Sequence, residues 1–347
     1  MCPEVSVVIP TYNRRAMVCE AIASVRAQRG AKLELIVIDD GSTDRTADEV
    51  GVIAALANAE CADRMSMRLV RTGNRGVAAA RNTGVAMASA PLLAFLDSDD
   101  LWMPHKLERQ LAFMHTHGEL AVAQTEEIWM RGGRRVNPGV RHRKRAGDIF
   151  LDSLRTCLIS PSAVIMRIEL FRELGGFDER LTAAEDYDLW LRILAEGHEV
   201  GLIEEPLVTR RSGDSMAPNR GIAEQLSATV PAIDRFRILA LLKLLADDEL
   251  DATRRPDAPQ RLDALRGQAV CAVLAEKCAV YAQGLRRRGR DRDASSVAEI
   301  GGRVSRWWRE SDGISIEDAI ARMLSIIFIE ASGAVPEASG VVAETDA

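Results

Sequence analysis

The sequence is poor in most of the features that would mark it as a nucleic-acid, disulfide-rich or membrane-spanning protein. It has no excess of positive charge: 45 Lys and Arg against 51 Asp and Glu leave a formal charge of −6 over 347 residues. Nucleic-acid-binding surfaces are usually basic, so no nucleic-acid partner is expected. None of the six cysteines (Cys2, Cys19, Cys61, Cys157, Cys271, Cys278) stands in a CxxC spacing, and no dense disulfide framework is apparent. Zinc ribbons and stapled secreted folds are thereby set aside, and a reducing cytoplasm fits. No charged leader and apolar segment precede the first strand-like run, so no export is expected. The longest late apolar run, Met323 to Ile329, falls far short of the ~20 residues a spanning helix needs. There is no repeat of fixed period. The first strand also lacks the GxGxxG turn of a dinucleotide site, which argues against a dehydrogenase.

What is present is the composition of a folding chain, 47% apolar and 28% charged. The length exceeds one ordinary hydrophobic core, so a large domain with an added unit is expected. Val5 to Pro10 is β-branched and almost wholly apolar, as suits a strand buried on both faces. Val18, Ala21, Ile22 and Val25 then recur at helical spacing. Leu35 to Ile38 reads as a second strand, Ser42, Thr43 and Asp44 as caps of a helix running to about Ala59, and Met67 to Ala88 as a third unit. Leu92 to Leu96 is a fourth strand, and Leu107, Leu111 and Met114 mark the helix after it. This alternation predicts a doubly wound α/β sheet, whose ligands bind beyond the carboxyl ends of the strands. Arg131 to Arg145 reads as an exposed, basic connection, and beyond Ile222 the pattern is helical. One stripe is Val270, Val273, Leu274, Cys278, Tyr281 and Leu285; another, capped by Ser315, is Ile316, Ile320, Met323, Leu324 and Ile327.

Three acidic turns stand where such a fold would place chemistry. Asp97-Ser98-Asp99-Asp100 follows the fourth strand, and residues two apart in extended chain share a side, so Asp97 and Asp99 can converge. Hard divalent cations favour such oxygens, with substrate phosphates completing the shell; ordinary turn chemistry is the competing explanation. Asp39-Asp40-Gly41-Ser42 ends the second strand, where carboxylates can accept hydrogen bonds from a base or ribose or simply open a helix. Glu185-Asp186-Tyr187-Asp188-Leu189-Trp190 opens a helix, whose dipole favours an anion at its start. Asp186 there is either a general base or part of a charged first turn.

Taken together, Val8-Ile9-Pro10-Thr11-Tyr12-Asn13, Ile38 to Asp44, Asn74 to Gly84, Phe95 to Trp102, and Gly175 to Glu179 followed by Glu185 to Trp190 resemble the inverting family-two glycosyltransferases in content, order and spacing, over roughly residues 3 to 215. The resemblance implies a GT-A fold: an α/β nucleotide-binding, mixed or parallel sheet flanked by helices, with a mostly helical C-terminal extension. Its expected extents are residues 1–220 for the transferase domain (donor half about 1–102, acceptor half about 103–220), 221–332 for the helices and 333–347 for a flexible tail. It further implies a nucleotide-sugar donor, UDP-linked in preference, a saccharide, lipid-linked or other hydroxyl acceptor, and Mn²⁺ or Mg²⁺. Pro10, Tyr12 and Asp39 would line the base and ribose pocket with Asp40 in support. Asp97 and Ser98 would face the donor, Asp99 and Asp97 would hold the metal, and Arg81 and Asn82 would brace the loop. Asp186 would be the base, and Glu185 and Trp190 would lie on the acceptor side, with core packing the alternative for Trp190.

The loop Arg210 to Ser215 lacks the His that relatives often carry, so Arg210 and Arg211 either reach the diphosphate or form a solvated charge pair. Arg141 to Arg145 meets an anionic acceptor or serves solubility. Arg286 to Arg292 and Arg303 to Arg309, with Trp307 and Trp308, form either a packed helix rim or a surface for anionic lipid at the inner face of a membrane. Two rival functions are a sugar nucleotidyltransferase and an inactive GT-A scaffold.

Overall fold

The computed structural model describes residues 2–212, 233–254, 262–310 and 316–332, with side chains except at 248–254, 305–310 and 328–332. The first half alternates as expected: β1 (Val5–Thr11), α1 (Arg15–Arg26), β2 (Leu33–Asp39), α2 (Thr46–Glu60), β3 (Met65–Arg71), α3 (Val77–Ala86) and β4 (Leu92–Phe95). β1, β2 and β4 are nearly continuous runs of buried apolar side chains because helices cover both faces of this part of the sheet. The close seat of α3 requires Gly84, since a Cβ there would meet Val8 Cγ1 at 2.4 Å. Ser42 and Thr43 do not cap α2 as their type suggests. The helix opens at Thr46, after Arg45 at φ 66°, and Asp44 accepts from Thr46 N–H at 3.1 Å. Ser42 instead accepts from Asn13 N–H, and Asn13 Oδ1 from Thr43 N–H, both at 2.8 Å. These bonds fasten the end of β1 to the end of β2.

Parallel winding stops at β4. The chain continues through β5 (Leu101–Trp102), α4 (Lys106–Thr116), β6 (Val122–Arg131), β7 (Arg134–Val136), α5 (Phe150–Ser153), β8 (Val164–Arg167), α6 (Ile168–Glu173), α7 (Glu185–Ala195) and β9 (Val200–Ser212). The nine-stranded sheet runs β3-β2-β1-β4-β8-β6-β9-β5, with β7 on β6. β8 is antiparallel to both β4 and β6, and β9 is parallel to β6. The sheet is therefore mixed. The basic connection begins as a hairpin: β6 and β7 turn through Gly132 and Gly133, both at positive φ. Lys144 within it is buried against Glu127 at 3.3 Å, so that cation serves the interior.

The C-terminal helices are α8 (Asp234–Arg254), α9 (Ala264–Arg287), α10 (Asp291–Glu310) and α11 (Ile316–Ser332). Far from hanging off the sheet, they share one core with it: Val8, Phe95 and Trp190 belong to the same buried cluster as Leu241, Leu274 and Met323. The α9 stripe Val270, Val273, Leu274, Cys278, Tyr281 and Leu285 is buried as its spacing implied. Ion pairs add orientation, with Lys243 of α8 at 2.6 Å from both Asp178 and Asp188. Among the described residues no helix is long and apolar enough to cross a membrane. Ser315, the loop from Gly213 and the tail from Gly333 lie outside the described residues, as do the side chains of Arg306, Trp307, Trp308 and Arg309.

Candidate active site

The carboxyl ends of β1, β2 and β4 and the start of α7 open on one cavity of about 820 Å³, lined by Pro10, Tyr12, Arg14, Asp40, Arg81, Asp97, Ser98, Asp99, Asp100, Glu185 and Asp186. Its acidic turn is tightly built. Asp100 N–H donates to the Asp97 carbonyl at 3.0 Å, Asp97 N–H to Ser162 Oγ at 3.1 Å, and that hydroxyl in turn to Asp100 Oδ2 at 2.7 Å. One carboxylate oxygen from each of Asp97, Asp99 and Asp100 lies within 4.8 Å of the others. Burial, and then the charges of Asp99 and Asp97, raise the Asp100 carboxyl well above the ordinary range. This all-oxygen set suits a hard divalent cation.

Two arginines hold the turn. Arg14 Nη1 lies 2.7 Å from Asp99 Oδ2. Arg81, only 3% exposed, spans two walls: Nη2 is 2.6 Å from Asp97 Oδ1 and Nη1 2.5 Å from Glu185 Oε1. Burial opposes the Arg81 charge, but the two carboxylates hold the guanidinium above its usual range. Glu185 is pushed up to about 6 by burial, which the attraction of Arg81 only partly offsets, with Asp186 adding to the rise. Asp186 sits in the first turn of α7, where its Oδ1 accepts from Tyr187 N–H at 2.7 Å. Cys157 Sγ lies 3.8 Å from its other oxygen.

At the β2 end, Asp40 accepts from Arg75 N–H at 3.0 Å and Gly76 N–H at 2.8 Å, fixing the start of α3. Asp39 is fully buried behind it, bonded to Ser42 N–H at 3.0 Å. Gly41, at φ 83°, permits this turn, and a Cβ on it would come 3.0 Å from Asn74 N. Tyr12 is 42% exposed, an aromatic face offered to the cavity.

A family model described as Glycosyl transferase family 2 matches residues 6–175, and another, Glycosyltransferase like family 2, matches residues 150–237. The chain is 33% identical over 251 residues to an uncharacterized glycosyltransferase of Rickettsia felis, covering 70% of this chain and 40% of the relative. It is 32% identical over 194 residues to WfgD of Escherichia coli, named a UDP-Glc:alpha-D-GlcNAc-diphosphoundecaprenol beta-1,3-glucosyltransferase, covering 56% of this chain and 71% of that one. The chain belongs to the family-two glycosyltransferases. It thus spans about two fifths of the length of its Rickettsia felis relative. Solved structures share the fold: S. aureus TarS 1-349 in complex with UDP-GlcNAc (TM-score 0.57, 17% identity, 95% of this chain and 92% of that one) and the mannosyltransferase PcManGT of Pyrobaculum calidifontis in complex with GDP-Man and Mn²⁺ (0.53, 20%, 96% and 89%). The mixed sheet with its flanking helices is accordingly the GT-A fold.

Of the twelve residues given a site role from the sequence, nine line the cavity, Asp39 stands directly behind it, and Asn82 and Trp190 are placed elsewhere. Asn82 faces the segment before α7, donating to the Phe177 carbonyl at 2.9 Å and accepting from Phe177 N–H at 3.0 Å. Trp190 is 1% exposed in the shared core and does not line the cavity. Arg211 is held by its neighbours and is no solvated charge: its N–H donates to Asp100 Oδ1 at 3.0 Å, its Nε to the Asp99 carbonyl at 2.5 Å, and it pairs with Glu20. Sequence reasoning missed Arg14, Ser162, Trp129 and Arg237. Arg14 directly follows the Thr11-Tyr12-Asn13 segment and could have been included with it; the other three carry no motif.

Proposed function

We propose that the chain transfers a sugar from a nucleoside-diphosphate sugar, UDP-linked in preference, to a hydroxyl of a saccharide or lipid-linked acceptor, with inversion at the anomeric carbon. The observation that carries this is the single cavity in which the oxygen cluster Asp97, Asp99 and Asp100 and the helix-borne Asp186 stand on shared walls. The nucleotide-sugar complexes of TarS and PcManGT and the UDP-glucose donor in the name of WfgD support the donor class.

Asp99 and Asp97 would hold Mn²⁺ or Mg²⁺, with Asp100 beside them. Such a cation neutralises charge developing on the departing nucleoside diphosphate. Pro10, Tyr12, Asp39, Asp40 and Ser98 bind and orient the donor, the Tyr12 ring lying against the base. Arg81 couples the two sides, since one guanidinium fixes both Asp97 and Glu185 and hence the start of α7. Asp186 Oδ2, turned from its own helix N–H, accepts the proton of the acceptor hydroxyl as that oxygen attacks the anomeric carbon. One displacement inverts the centre.

Incubating the chain with UDP- and GDP-sugars and Mn²⁺ should release nucleoside diphosphate, and chelation should stop it. Release of pyrophosphate from a nucleoside triphosphate supplied with a sugar 1-phosphate would instead make it a nucleotidyltransferase, and donor binding with no turnover across many acceptors would make it a scaffold.

A further inference from the structure

Arg210 and Arg211 are consecutive in β9, so their side chains leave opposite faces of the sheet. Arg211 goes to the turn after β4 and to Glu20 of α1, on the donor side. Arg210 goes the other way, its guanidinium 5.0 Å above the Trp129 ring of β6, and it lines the cavity. Among the described residues it takes no ion pair, although the charges of Glu127, Asp100, Asp97 and Asp186 all reach it; three of these have nearer partners, Glu127 in Lys144 and Ser160, Asp97 in Arg81, and Asp100 in Ser162 and Arg211 N–H. Arg237, from α8, lines the same wall, 5.8 Å above the ring of Tyr187, the residue next to Asp186. Among the described residues its one carboxylate partner, Asp234, is 3.5 Å away and also approached by Lys277 at 3.3 Å, and its buried Nε has no partner. His142, against Trp129, has its imidazole held below its ordinary range first by burial and then by the charges of Arg141, Arg210, Lys144 and Arg237.

Two arginine forks with free N–H groups, packed on aromatic rings beside the base, suit an oxyanion with several acceptor oxygens. We propose that Arg210 and Arg237 form an anion-binding wall on the acceptor side of the cavity, and that the acceptor carries a phosphate close to the hydroxyl that Asp186 deprotonates. The assignment of sides rests on the transfer reading above.

The test saturates the full chain with UDP and Mn²⁺, so that the donor site is filled, and titrates it with glycerol 3-phosphate by calorimetry, with glycerol and glucuronate as controls. Glycerol 3-phosphate should bind and glycerol should not. The double variant Arg210→Met/Arg237→Met should weaken that binding at least tenfold while UDP affinity changes less than twofold, and Arg210→Lys/Arg237→Lys should fall between. The wall is overturned if the native chain ignores glycerol 3-phosphate, if the Met variant binds it normally, or if glucuronate binds better. It is equally overturned if UDP affinity falls in proportion, because the arginines would then serve the donor. If UDP fails to bind the native chain, the transfer reading falls instead, and glycerol 3-phosphate binding lost in the Met variant would still support the wall.

Discussion

Strand β2 carries a buried acid near each end, and the two are satisfied very differently. At the amino end Glu34 accepts from the Ser6 hydroxyl at 2.6 Å, from Ser89 N–H and hydroxyl at 2.6 and 2.8 Å, and from Ala90 N–H at 3.2 Å, with Arg68 at 2.7 Å. Among the described residues, Asp39 at the carboxyl end has one hydrogen bond on Oδ1, while Oδ2 has no donor and only the Arg71 guanidinium at 3.4 Å. A buried carboxylate short of donors is held at a cost, so it persists where something else completes it. The amino end of the sheet closes on itself. The carboxyl end leaves Asp39 Oδ2 without a donor among the described residues, just behind a cavity on whose walls Asp97, Asp99 and Asp186 stand.

The sharpest break in this comparison is Asp186→Asn. The amide keeps size and hydrogen bonding but cannot take a proton, so transfer should fall by roughly 10²–10⁴-fold while UDP binding by calorimetry stays as it was. Turnover near normal would remove Asp186 from the base role. Next comes Arg81→Met, which strands the buried Glu185 and removes the cation from the half-buried Asp97. The expected loss is about 3–5 kcal/mol of unfolding free energy, read from denaturant midpoints. A variant as stable as the parent would show that the two walls are not coupled through this guanidinium. Asp39→Asn should then separate stability from function. With few donors to lose, its midpoint should barely move, yet donor affinity should drop about tenfold, the equivalent of about one charge-assisted hydrogen bond. Unchanged UDP affinity would return Asp39 to a purely structural place.

How much of this was legible in the sequence follows from how local each interaction is. The runs of β1, β2 and β4 and the acids at their ends could be read directly, because strand burial and turn chemistry are written in adjacent residues. The turn to a mixed sheet was open only through the family resemblance, since the antiparallel insertion of β8 depends on pairings with both β4 and β6 that no local pattern encodes. Ser162 binds Asp97 and Asp100 across more than sixty positions, and a lone serine gives no sign of it. For Trp190 two explanations fitted equally, and its side chain is placed in the core by the apolar face of α7 around it, Leu189 and Leu191 included. Ser42 and Thr43 looked like caps by type, but their partners are on Asn13, a residue of another loop.

The smallest effect belongs to the closed end of the strand. Burial alone would raise the Glu34 carboxyl, but the donors from Ser6 and Ser89, with the charge of Arg68, outweigh it and hold the group below the ordinary carboxylate range. A depressed acid contributes stability that is fully present above its unfolded value and is lost as pH falls through the lower folded one. Unfolding free energy should therefore decline at acid pH with a contribution from Glu34. Glu34→Gln, which lacks that titration and must present an N–H₂ to donors, should lose about 1–3 kcal/mol at neutral pH and show a flatter acid limb. Its UDP affinity should be unchanged, because nothing at this end of β2 reaches the cavity. An acid limb identical to the parent's would mean that the Glu34 network is not what separates the two ends of the strand.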